Sequence, residues 1–186
     1  MALIDAAVGA GYVVAAPAHE RFDGKSVTDA QMRERVIGIA DALRAIDRDD
    51  LPVVAAGHSA GGWAALCLAG AQPRGQNGQR ISVPVESRVA KVIAMAPPLG
   101  WFRAPHALDR LTAPVTVMSG DADVVTPPET VDVLGAAAAQ LTHRTYKGVG
   151  HLDFLSALPP GVSPTPGLDH EQFSITLARD FAAELR

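Results

Sequence analysis

The chain has 186 residues, a length for one domain, residues 1–186, with a substantial core. Its residues are 48% hydrophobic and 19% charged, with a net charge of −4 and no basic run, so nothing in its electrostatics favours a nucleic-acid partner. A single cysteine, Cys67, excludes an intrachain disulfide and any multi-cysteine metal site, and no segment is long enough to span a membrane.

The first ten residues have no basic stretch and carry Asp5, which argues against a signal peptide; with Met1 as the true start, the chain reads as cytoplasmic. Residues 2–8 read as a short helix stopped near Gly9 and Gly11, and Tyr12 to Ala16 as a strand ended by Pro17. The polar loop that follows places His19 and Arg21 at the carboxyl end of that strand, where they either line a site or stay solvated. Thr28-Asp29-Ala30-Gln31 forms a capping box. The helix behind it aligns Met32, Val36, Ile39, Ala40 and Leu43 on one face.

Val53 to Ala56 is an apolar run too short for a helix, bounded by Pro52 and Gly57, and reads as a buried strand. From Ala60 an apolar helix runs to Gly70, with Cys67 inside it as core packing. The junction is Gly57-x-Ser59-x-Gly61, the nucleophile-elbow pattern. A serine hydroxyl attacks well only when a base reaches it, and a sharp turn exposes Ser59 to one. The turn also places the Ala60 N–H at a helix start, where it can bind a developing oxyanion. Strain at the turn is expected to leave little room for side chains at Gly57 and Gly61.

Residues 73–87 read as a surface excursion, Val89 to Met95 as a strand, and Trp101 and Phe102 at its carboxyl edge either as pocket walls or as core. Val115 to Met118 is another strand, residues 128–141 a helix, and Thr142 to Val149 a last strand. A proline-rich loop covers about 158–168, and an amphipathic helix spans about 170–185. The alternation predicts an α/β fold of about five strands, a mostly parallel sheet with helices on both faces.

Three polar groups then fall at carboxyl ends of successive strands: Ser59, Asp121 or Asp123, and His151. The order Ser…Asp…His suits a relay in which His151 takes the Ser59 proton and an aspartate orients the imidazole. Gly120-x-x-Asp123 lets that carboxylate turn back over the sheet edge, and Asp121 is its rival. Asp153 either orients the loop bearing His151 or is solvated. His58, beside the nucleophile, should point away from Ser59.

With those residues placed, the sequence resembles the α/β-hydrolase superfamily, and within it predicted dienelactone hydrolases and platelet-activating-factor-acetylhydrolase-like esterases. The matching pieces are Gly-Tyr-Val-Val-Ala-Ala-Pro-Ala-His (11–19), Gly-His-Ser-Ala-Gly-Gly (57–62), Val-Ile-Ala-Met-Ala-Pro (92–97), Gly-Asp-Ala-Asp-Val-Val-Thr-Pro-Pro (120–128) and Gly-His-Leu-Asp-Phe-Leu (150–155). True dienelactone hydrolases use a cysteine nucleophile, and Ser59 stands here instead. The resemblance implies hydrolysis of a small-molecule carboxylic ester through an acyl-enzyme, without a cofactor or metal, by Ser59, Asp123 and His151. It also implies an N-terminally short sheet: family members carry strands and a His-Gly-type loop ahead of the first helix, and that loop supplies the second oxyanion N–H. An exposed sheet edge would follow, open to a homodimer. The alternative function is a truncated, weak or inactive hydrolase-like domain acting as a binding or oligomerisation module. An acyltransferase would use the same residues.

Overall fold

The computed structural model describes residues 2–20, 22, 26–135 and 140–186. Among the described residues four α-helices and four strands follow in the order α1 (Ala2–Gly9), α2 (Asp29–Ile46), β1 (Val53–His58), α3 (Ala60–Leu68), β2 (Val89–Met95), β3 (Val115–Gly120), β4 (Leu141–Tyr146) and α4 (His170–Glu184), with 3₁₀ turns rather than α-helices after β2 and β3. The strands form one parallel sheet in the order β1-β2-β3-β4. Parallel strands need crossovers of a dozen or more residues, and helices or long loops supply each one. The register keeps the carboxyl ends level: His58 pairs with Met95, Met95 with Met118, and Gly120 with Tyr146. All the loops that follow the strands therefore open on one edge.

Helices cover both faces. On one, α2 and α3 pack Met32, Val36, Trp63 and Leu66 against Ala55, Val92, Val115 and Val117. On the other, α1 and α4 pack Ala7, Phe173, Leu177 and Phe181 against Ile93, Met95 and Met118. The split follows the two-residue period of the strands, since neighbours such as Val92 and Ile93 point to opposite layers. β3 is buried at every position, as a central parallel strand must be. Thr28 caps α2 through the reciprocal bonds with Gln31 that the sequence predicts. The far end of α4 is tied to the sheet by Lys91 Nζ to Glu184 Oε2 at 2.8 Å and by Thr116 Oγ1 to the same oxygen at 2.8 Å.

Two expectations change. Among the described residues the sheet has four strands, because Tyr12 to Ala16 has no regular structure and no backbone hydrogen bond joins it to β1. Between that segment and β1 lies a groove of about 690 Å³. Ile39, Leu43 and Leu68 line it from one helical layer, and Ala7, Leu177 and Phe181 from the other. Residues 128–141 do not form an α-helix throughout, since a 3₁₀ helix occupies Pro128–Val133; residues 136–139 lie outside the described residues. Arg21 also lies outside them, whereas His19 packs near α2 and lines the groove.

Candidate active site

β1 delivers Ser59 into the turn before α3. Ser59 adopts φ 52° and ψ −120°, a strained conformation for a residue with a side chain. Its N–H donates to the Met95 carbonyl at 2.8 Å, and its own carbonyl accepts from Trp63 N–H at 3.0 Å. Sheet and helix thus hold the strained residue from both sides. A Cβ on Gly57 would lie 2.6 Å from the Gly61 carbonyl oxygen, so β1 and α3 can meet at this angle only with glycine there. A Cβ on Gly61 would meet nothing within 4 Å, and one on Gly62 would sit 3.0 Å from the Gly57 oxygen. The steric demand therefore falls on Gly57 and Gly62 rather than on Gly57 and Gly61.

The Ser59 hydroxyl is 2.9 Å from Nε2 of His151, a residue 92 positions away. Nδ1 of His151 is 2.8 Å from Oδ2 of Asp123. His151 opens a short 3₁₀ helix, His151–Phe154, after β4, and Asp123 stands in the turn after β3. The Asp123 side chain is fully buried, a costly place for a carboxylate unless donors surround it. Four donors do: His151 Nδ1 and Thr126 Oγ1 (2.7 Å) at Oδ2, and the Val125 and Thr126 N–H groups (each 2.8 Å) at Oδ1. Burial pushes its pKa up, but the bonds from His151 and Thr126 outweigh burial and hold it below the ordinary value. The acid stays ionised and therefore able to orient the imidazole.

Thr126 is the residue the sequence reading passed over. Its hydroxyl lies 3.1 Å from the Ala96 carbonyl and 3.1 Å from His151 Nδ1, so it touches the ends of β2 and β3 and the base together. The signal was present as a threonine three residues after an aspartate in a turn, a spacing that closes side chain on backbone. Asp121, by contrast, accepts from Gly148 N–H at 2.6 Å on the surface, which is loop capping. Asp153 is buried and accepts from Gly150 N–H at 2.7 Å and Thr165 Oγ1 at 2.6 Å, which anchors the turn carrying His151 to the proline-rich loop.

The Ala60 N–H is the first of α3, one of the helix-start donors that have no partner within the helix. Of the two aromatic pocket residues, Trp101 lines a cleft of about 400 Å³ together with Pro98, Leu99, Arg103, Arg74 and Thr126. Phe102 does not line it; at 2% exposure it stacks on Trp63 in the core. The 3₁₀ turn Leu99–Phe102 sends consecutive residues to opposite sides, which separates the two aromatics.

No protein-family model matches the sequence, and no curated protein does. Solved structures do match in fold. A serine hydrolase homologue from Coxiella burnetii superimposes with a TM-score of 0.60 over 100% of this chain and 76% of its own, at 16% identity. A monoacylglycerol lipase from Paleococcus ferrophilus gives 0.57 over 97% and 87%, at 17% identity. Esterase 2 of Thermogutta terrifontis gives 0.51 over 86% and 66%, at 18% identity. The chain has the α/β-hydrolase fold.

Proposed function

We propose that the chain is a serine hydrolase that cleaves a carboxylic ester of a small molecule through an acyl-enzyme. The observation that carries this reading is the continuous line Ser59 Oγ–His151 Nε2–His151 Nδ1–Asp123 Oδ2, with steps of 2.9 and 2.8 Å, at the carboxyl edge of the sheet. Those are hydrogen-bond distances for proton transfer, and they need no rearrangement before reaction. His151 takes the Ser59 proton as Oγ attacks the ester carbonyl. Asp123 fixes the tautomer and stabilises the imidazolium. The Ala60 N–H faces the developing oxyanion. The imidazolium returns its proton to the departing alkoxide, and water repeats the sequence on the acyl-enzyme. The cleft beside Trp101 takes the acyl group. The likeness in fold to esterases and a lipase supports the same class, and the quoted motifs favour an esterase of the dienelactone-hydrolase-like or acetylhydrolase-like kind.

The test is hydrolysis of p-nitrophenyl acetate, butyrate and octanoate by the wild-type chain and Ser59→Ala. Turnover by the wild type that disappears in the variant is the expected result. Equal rates in two folded proteins would overturn the reading.

A second reading, a module that associates with another copy of itself, is favoured by the outer edge of β1, which pairs with no strand among the described residues. The N–H groups of Val53 and Ser59 point to β2, so alternation turns those of Val54, Ala56 and His58 to the groove side. A second copy offers the same edge in an antiparallel, two-fold arrangement. Sedimentation velocity would then show a dimer that Ala56→Pro converts to monomer; a wild type that is monomeric at every concentration sinks it.

A further inference from the structure

His58 ends β1 one residue before the nucleophile, and the relay does not use it. Its side chain reaches the turn that carries the base. Nε2 lies 2.8 Å from the backbone carbonyl oxygen of His151. A carbonyl can only accept, so Nε2 carries the proton and donates. The ring is stacked on Phe154 at 5.8 Å between centroids and 21° between planes, and it lies 4.8 Å from the His151 ring. Phe154 in turn packs edge-on against Phe173 of α4. One side chain of the elbow strand thus grips the base residue by its main chain, and an aromatic wall holds that side chain in place.

We propose that His58 is a positioning residue for the base, fixing the His151 main chain through the Nε2–H···O=C bond so that the imidazole meets Ser59 Oγ at hydrogen-bond distance; this rests on the serine-hydrolase reading of the site. Ser59 and its proton acceptor are 92 residues apart in sequence, and the other main-chain anchors of the turn from Gly150 to Phe154 run to Asp153 and to His170, whose Nε2 lies 3.1 Å from the Asp153 carbonyl oxygen and 3.0 Å from that of Leu155. The His58 bond joins the two elements directly, and a misplacement of about 1 Å between reacting groups can cost roughly a hundredfold in rate. Neutrality suits the role. Burial, and then the neighbouring His151, push the His58 pKa down to about 4, so His58 stays uncharged while His151 takes a proton beside it.

The bond uses Nε2, which sets the variants. Gln places an amide N–H near the Nε2 position, Asn places its own near Nδ1 and falls short, and Phe keeps the stacked ring but has no donor. His58→Phe and His58→Asn are expected to lower kcat for p-nitrophenyl butyrate about tenfold with KM changed less than about twofold, while His58→Gln keeps kcat within about threefold of wild type. Amide hydrogen exchange at residues 150–154, read on the same proteins, is expected to speed up in the Phe and Asn variants and not in Gln. Wild-type kcat and exchange in His58→Phe, or a Gln variant as impaired as the other two, would overturn the proposal. Wild-type turnover that survives Ser59→Ala would instead defeat the hydrolase reading, and the exchange pattern would still decide whether His58 holds the turn.

Discussion

On the serine-hydrolase reading proposed above, the carboxyl edge of the sheet holds two halves built to different standards. The proton-transfer half, Asp123, Thr126 and His151, is closed: four donors converge on one buried carboxylate, and the base is held by side chain and main chain. The oxyanion half rests on one assigned donor, the Ala60 N–H, beside a groove of about 690 Å³ that runs between both helical layers. A buried ion must be fully solvated by protein to be tolerated at all, so folding enforces the first half whether or not substrate is present. An oxyanion exists only during reaction, and nothing in folding stability demands a complete set of donors for it. The difference separates what stability selects from what catalysis selects.

The sharpest way to break that comparison is Asp123→Asn. It keeps the shape of the closed half but removes the charge that fixes the tautomer, and kcat is expected to fall by about 10⁴ in a folded protein, the scale that the same change carries in a Ser-His-Asp protease. A loss below tenfold by steady-state kinetics would mean that the closed half does not govern the rate. Gly57→Ala strikes the elbow, where the added methyl meets the Gly61 backbone. Urea denaturation is expected to show a loss of about 3 kcal/mol, with slower labelling of Ser59 by a fluorophosphonate.

How much of this was legible in the sequence divides along the same line. The strand-end positions of the elbow, Asp123 and His151 were readable because each is a short local pattern, and local patterns fix their own backbone geometry. The α2 cap was readable for the same reason. Tyr12 to Ala16 misled because its β-forming residues specify an extended chain but not a partner, and pairing is a tertiary property. Trp101 and Phe102 could not be told apart because a four-residue 3₁₀ turn is too short to display its three-residue period in the sequence. The bond from His58 to the His151 carbonyl left no trace, since it depends on a main-chain atom that every residue carries.

The pH dependence of stability locates the boundary between the halves more finely, because His58 belongs to the elbow by sequence and to the base by its bond. The unfolded chain takes up the His58 proton near the ordinary value of 6.5, the folded chain only near 4. Between those values the unfolded state binds more protons, so stability rises with pH through that window and the contribution is complete above it. Denaturation at pH 4.5 is expected to show about 2 kcal/mol less stability from this group than at pH 7, and His58→Phe should flatten that difference. The smallest expected effect is that of Thr126→Val, which removes one of the four donors to Asp123 and should lower kcat about tenfold at unchanged KM. An unchanged kcat would make the hydroxyl a purely structural link to Ala96.

The parallel order of the sheet has a consequence for how activity arises in time. Ser59 follows the first strand, Asp123 the third and His151 the fourth, so no fragment of the chain that forms early brings the three together. Contacts between residues this distant in sequence close late, after the loop entropy of the intervening chain has been overcome. During refolding, the fluorescence of Trp63, buried between α3 and its neighbours, should recover ahead of turnover. The interval between the two signals would measure the docking of β4 and the turn behind it.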